Sequence, residues 1–129
     1  MSKNVYDKII THCKKELPYE ACGLLSGKNG KAETFWPMEN IYRSSVSFSM
    51  DIEQIRLVFN LIDKRQEDLV GIYHSHPTGE AYPSKGDIAF NNYPDVGHII
   101  VSLSRQTPVV NCFQIIENRI IPISLEIVI

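Results

Sequence analysis

The chain has no block of basic residues: 13 Lys and Arg stand against 15 Asp and Glu, for a net charge of −2. That balance argues against nucleic acid as a partner, and equally against an acidic membrane surface. No apolar run approaches the roughly 20 residues that a membrane-spanning helix needs. The opening MSKNVYDKIITHCKKEL has no apolar stretch followed by small residues, so no secretory signal is expected there. Cysteine is scarce and odd in number, with Cys13, Cys22 and Cys112 spaced too far apart for close pairing. A disulfide framework is therefore not expected, and a reducing cytoplasm is the natural compartment. Internal repeats, low-complexity tracts and long linkers are missing too. What remains is an ordinary globular balance over 129 residues, 43% apolar and 22% charged. A single domain over residues 1–129 with one core is expected.

Val5, Ile9, Cys13 and Leu17 recur at every fourth position and predict an amphipathic first helix, stopped near Pro18. ACGLLSG is a short apolar run bounded by turn residues and reads as a strand. KNGK reads as a hairpin turn leading into AETFW. SVSFSM alternates and is a further strand candidate. Asp51 with Gln54 resembles a capping box, and Ile52, Ile55, Phe59 and Ile62 follow at helical spacing. That second helix is expected to run to about Arg65. DLVGIYHSH reads as a buried strand and KGDIAFNNY as a short helix. GHIIVSLS, PVVNCFQII and RIIPISLEIVI are β-rich, with Pro122 confining part of the last run to an edge or bulge. The closing LEIVI either completes the sheet or forms a homodimer edge. Completion is favoured, because an uncovered apolar edge invites aggregation. The sum is an α+β fold: a mostly antiparallel sheet packed against two main helices, with a short third helix.

The chemistry concentrates in HSHPTGEAYPSKGD, from His74 to Asp87. Side chains alternate along a strand, so His74 and His76 face one side and Ser75 the other. Neutral imidazoles suit Zn²⁺, which in hydrolytic sites takes three protein ligands and a water. Asp87, 11 residues past His76, is the expected third ligand. Pro77 and Pro83 stiffen the loop that would return it. Ser84 is expected to begin the short helix that carries Asp87. The S-x-x-D pattern is also a helix cap, and the two roles are compatible. A metal-bound water needs a base. Glu20, just before the CGLLSG strand, is the candidate, although spacing alone does not bring it to the metal. Cys22 has apolar neighbours and is expected to be a buried structural residue, as are Cys13 and Cys112. His12 is expected to be exposed on the first helix, and His98 to be structural.

His74-Ser75-His76-Pro77, six residues, Ser84, two residues and Asp87, with the upstream Glu20 and CGLLSG, resembles the JAMM (MPN+) metallopeptidases at every fixed position. The order of elements is similar over nearly the whole chain. The resemblance implies a curved sheet of the MPN, cytidine-deaminase-like type. It implies one Zn²⁺ with a catalytic water, held by His74, His76 and Asp87. Glu20 would be general base and then proton donor to the leaving amine. Ser84 would orient the water or stabilise the oxyanion. The implied reaction is hydrolysis of a peptide or isopeptide bond after the Gly-Gly tail of a ubiquitin-like or sulfur-carrier protein. The short chain leaves no room for long insertions that would grip a second ubiquitin, which favours a simpler substrate. Two other readings stand beside it: a non-catalytic scaffold or binding module of the same fold, and a different HxH metalloprotein. Metal content with a Glu20→Ala comparison separates the first, and zinc rather than iron or copper the second.

Overall fold

The computed structural model describes residues 1–89 and 93–129. Ser2 starts the first helix by accepting the Val5 N–H at 3.2 Å, and α1 runs over Lys3–Lys15. Its buried stripe is Val5, Ile9 and Cys13. Leu17 matches the spacing but lies beyond the helix and is 47% exposed. The residue before a proline disfavours the helical region, so the helix ends earlier than the apolar period suggests. His12 is not exposed as expected: its Nδ1 lies 2.7 Å from the Tyr73 hydroxyl, and its ring is largely covered.

The strands are β1 (Cys22–Gly27), β2 (Thr34–Met38), β3 (Asp68–His76), β4 (Gly97–Ser102), β5 (Val109–Ile116) and β6 (Arg119–Ile123). They form one sheet in the order β2-β1-β3-β4-β5-β6. Only the β3–β4 pairing is parallel among the described residues, so the sheet is mostly antiparallel as expected. A parallel pair needs a crossover. Here the crossover holds the HSHP loop and the short helix α3 (Lys85–Ala89), which places that loop at the carboxyl ends of two parallel strands. The rest of KGDIAFNNY includes residues 90–92, outside the described residues.

The sheet lies between α1 and α2 (Ile52–Lys64). Leu25, Tyr73, Ile99 and Val101 pack with α1, while Cys22, Leu24 and Ile72 pack with Val58 and Ile62 of α2. Every residue of β1 is buried, because both faces are covered. A fully buried aliphatic such as Leu25 or Ile9 contributes about 1.5–3 kcal/mol. Gly23 pairs with Tyr73, and a Cβ there would fall inside the Tyr73 ring. Asp51 caps α2 through the Gln54 N–H, as the capping pattern suggested. Ile52 sits at the helix start and is exposed, so the apolar stripe begins only at Ile55. The KNGK turn forms with positive φ at Asn29 and Gly30. Pro122 does lie on an edge strand, β6.

Two further expectations fail. SVSFSM is not a strand; residues 45–50 are irregular. The alternation reflects Phe48 and Met50 turning toward the α2-side core. Asn40 supplies the hydrogen bonds a ladder would give. Its Nδ2 donates to Glu20 O and Ser47 O, both at 3.0 Å, and its Oδ1 accepts from Tyr42 N and Ser49 N. LEIVI does not complete the sheet. It forms one parallel bridge, Ser2 with Val128, and Leu125 packs on the α1-side core. No described helix is long and apolar enough to cross a membrane.

Candidate metal centre

The site is built by strand pairing. Ser75 faces away from the histidines, where its Oγ accepts the Ala21 N–H at 2.8 Å while its own N–H donates to Ala21 O. This keeps β1 and β3 in register up to the site. Cys22 pairs with His74, so two residues further along Glu20 comes opposite His76. Glu20 is clamped by its backbone, with its N–H donating to Ser44 O at 2.8 Å and its carbonyl accepting from Asn40 Nδ2. Its side chain is buried.

Across the crossover, Ser84 and Asp87 form a reciprocal cap on α3. Asp87 N donates to Ser84 Oγ at 3.1 Å, and Ser84 N donates to Asp87 Oδ2 at 2.9 Å. The same Oδ2 lies 3.1 Å from His74 Nε2 and 3.2 Å from His76 Nε2, and those two nitrogens are 3.1 Å apart. The five residues singled out in the sequence thus share one locality. Glu20 also approaches the imidazoles, with its ligand atom and theirs mutually within 4.8 Å. Asp87 Oδ2 lies closer to both rings than that, at hydrogen-bonding distance.

The protonation pattern calls for a cation. His76 Nδ1 lies 2.7 Å from Glu80 O. A carbonyl only accepts, so Nδ1 carries a proton, and once any second ring proton leaves, Nε2 offers a lone pair. That lone pair faces another imidazole nitrogen and a carboxylate oxygen. Three such donors repel unless a proton or a metal joins them. A tetrahedral ion with bonds of about 2.0 Å has ligand–ligand edges of about 3.3 Å. The observed triangle, with edges of 3.1, 3.1 and 3.2 Å, approaches one face of that tetrahedron. The two-nitrogen, one-oxygen donor set therefore fits a small tetrahedral metal with one position left over. Phe48 stacks on His74 with ring centroids 4.7 Å apart and fixes that imidazole.

Electrostatics separate the two carboxylates. Burial pushes Asp87 upward, but hydrogen bonds from His74 and His76 outweigh it and hold Asp87 well below the usual range. Burial likewise opposes the charged form of His76. The Asp87 carboxylate and the Glu80 carbonyl overcome that, and its pKa rises. Glu20 is pushed up to about 7, chiefly by burial, with Asp87 adding and His76 opposing. Glu20 Oε1 is buried without a hydrogen-bond partner among the described residues. It is an acid kept near neutrality and free to exchange a proton.

A cavity of about 420 Å³ opens beside His74 and Asp87. Leu24, Phe48, Met50, Ile55 and Ile72 give it apolar walls. His98, expected to be structural, is buried on its wall and lowered in pKa by that burial. The Cys22 thiol is pushed up to about 12 by burial, which suits a structural residue rather than a nucleophile. Sequence reasoning missed Asn40, Phe48 and the Glu80 carbonyl. Phe48 sits in an alternating pattern that reads as a strand, and a backbone carbonyl gives no signal.

Three convergent donors, with a buried carboxyl beside them whose Oε1 has no partner among the described residues, make a candidate metal site. Residues 2–116 match the family described as prokaryotic homologs of the JAB domain. The CysO-cysteine peptidase of Mycobacterium tuberculosis is 34% identical over 101 residues, which cover 77% of this chain and 69% of that protein. A desampylase of Haloferax volcanii is 28% identical over 110 residues, covering 79% of this chain and 78% of that one. A solution structure of a Desulfitobacterium hafniense protein superposes with a TM-score of 0.86 at 30% identity, over 98% of this chain and 89% of that one. The chain belongs to the prokaryotic JAB-domain homologs, small members of the JAMM/MPN family.

Proposed function

We propose that the chain is a zinc-dependent peptidase that cuts the peptide or isopeptide bond after the Gly-Gly tail of a ubiquitin-like or sulfur-carrier protein. It would act as one catalytic domain in the cytoplasm. The observation that carries the reading is the meeting of His74 Nε2, His76 Nε2 and Asp87 Oδ2 within 3.2 Å, beside a Glu20 carboxyl poised at about 7. His74, His76 and Asp87 would hold the zinc, which polarises the scissile carbonyl and makes the attacking water acidic.

The chain's own groups do the rest. Glu20 takes the proton of the attacking water and passes it to the leaving amine. A carboxyl near pH 7 does this with little penalty in either direction. Ser84 holds Asp87 in place and offers its hydroxyl hydrogen to the developing oxyanion. The apolar cavity beside His74 takes the carrier's tail and excludes water from it. Glycines at the tail end let its backbone come close to His74 and Asp87. The relatives named CysO-cysteine peptidase and desampylase support a carrier-protein substrate.

The test is incubation with a carrier protein extended past Gly-Gly, followed by mass spectrometry. The zinc-loaded protein is expected to remove the extension, and chelated protein or Glu20→Ala to leave it. An intact extension with zinc-loaded protein would contradict the substrate. Failure to take up any metal would contradict the centre.

A further inference from the structure

The loop between His76 and Ser84 presents three consecutive carbonyls, each engaged by a different donor. Glu80 O meets His76 Nδ1 at 2.7 Å. On one side of it, Gly79 O accepts from Ser102 Oγ at 2.6 Å. On the other, Ala81 O accepts from Asn111 Nδ2 at 3.1 Å. Ser102 ends β4, is buried, and is the parallel register partner of His76. Its one hydroxyl hydrogen goes to Gly79 O, while its oxygen accepts from Ser104 N. Asn111 lies one strand further out, on β5, opposite Ile100. Ala81 packs against Ile100 and Phe113, which seats that side of the loop on the sheet. Thr78, Gly79 and Glu80 are otherwise exposed. The Glu80 carbonyl, which also accepts the Tyr82 N–H at 2.9 Å, is thus held between two flanking bonds.

We propose that Ser102 and Asn111 are positioning residues of the metal centre. By pinning the carbonyls on either side of Glu80, they aim that carbonyl at His76 Nδ1 and keep the His76 Nε2 lone pair directed at the ligand cluster. The competing state is the other tautomer, with the proton on Nε2. In the metal-free protein that proton would donate to Asp87 Oδ2, 3.2 Å away, and would block the position a metal takes. Orientation of ligand imidazoles by such outer hydrogen bonds is worth about 10–100-fold in metal affinity. This inference rests on the proposed metal centre, but its first readout needs no metal.

Nitrogen NMR of the His76 ring in chelated protein, followed upward in pH until the ring has lost its second proton, reads the tautomer directly. The wild type is expected to show the proton on Nδ1. Ser102→Ala and Asn111→Leu should move population to the Nε2-protonated form, and Ser102→Thr should restore it. In the same variants zinc affinity, measured by chelator competition, should fall about tenfold or more, with kcat reduced and KM unchanged. Thr34→Val is the structural control. It removes the hydroxyl that Thr34 donates to Glu67 at 2.8 Å, at the far end of the sheet. It should lower the melting temperature while leaving tautomer and affinity alone. If Ser102→Ala does not fold, Asn111→Leu carries the test. An unchanged tautomer in the folded variants would overturn the positioning role. So would an equal loss of affinity in Thr34→Val. A wild type that binds no zinc would instead overturn the metal centre on which the role depends.

Discussion

Glu20→Gln should abolish activity and at the same time make the metal-free protein more stable. Burial raises the Glu20 carboxyl from 4.5 to about 7, so the folded state holds its proton more tightly than the unfolded chain does. The sign follows from linkage. Below about pH 4.5 the group is protonated in both states and costs nothing. Between about 4.5 and 7 the unfolded chain ionises while the folded one resists, and folding loses about 1.4 kcal/mol per pH unit. Above 7 the penalty is complete, at about 3 kcal/mol. Glutamine keeps the shape and carries no such penalty at any pH. For a chain of this size about 3 kcal/mol corresponds to roughly 10 °C in melting temperature. The assay is calorimetric unfolding of chelated wild type and variant across this pH range. Their melting temperatures should converge in acid and separate by roughly 10 °C above neutrality. Carrier cleavage by the variant should fall at least about 100-fold, since an amide cannot accept the proton. A constant gap at every pH, or a less stable variant in alkali, would refute the claim that the Glu20 carboxyl is desolvated.

Asp87→Asn should reduce zinc retention on dialysis sharply, and wild-type metal content in that variant would remove Asp87 from the ligand set. Glu67 accepts from Ser26 Oγ and Thr34 Oγ1, both at 2.8 Å. Burial opposes its charge, but Thr34, Ser26 and Arg65 outweigh burial and lower its pKa. Its stabilisation is therefore present above the unfolded carboxyl pKa and fades as pH falls through the folded value. Glu67→Gln should cost about 1–3 kcal/mol at neutral pH, shrinking in acid, with activity retained. Urea unfolding at several pH values would show it. Gly23→Ala drives a methyl into the Tyr73 ring. It should destabilise by about 3 kcal/mol, seen as a lower denaturation midpoint, and a neutral effect would contradict the tight β1–β3 packing.

The parts of the site that sequence exposed are those fixed by local geometry. Two-residue alternation puts His74 and His76 together, and a capping pattern joins Ser84 to Asp87 whatever the rest of the chain does. Glu20 is different. Its place depends on Cys22 pairing with His74 across 52 residues of chain, which spacing cannot foretell; only the family resemblance suggested it. Ser102, Asn111 and the Glu80 carbonyl act through backbone contacts that leave no mark in residue type. In the fold, periodicity misled wherever another force satisfied the backbone. Asn40 replaced a ladder under SVSFSM, Pro18 cut short the stripe that ran to Leu17, and the terminal apolar run found α1's amino end instead of a sheet edge.

X-ray absorption at the zinc edge of the loaded protein tests the shared three-donor centre most directly. The account predicts one zinc per chain with only nitrogen and oxygen neighbours at about 2.0–2.2 Å, imidazole scattering included. A sulfur neighbour at about 2.3 Å, or no bound zinc at all, would contradict it.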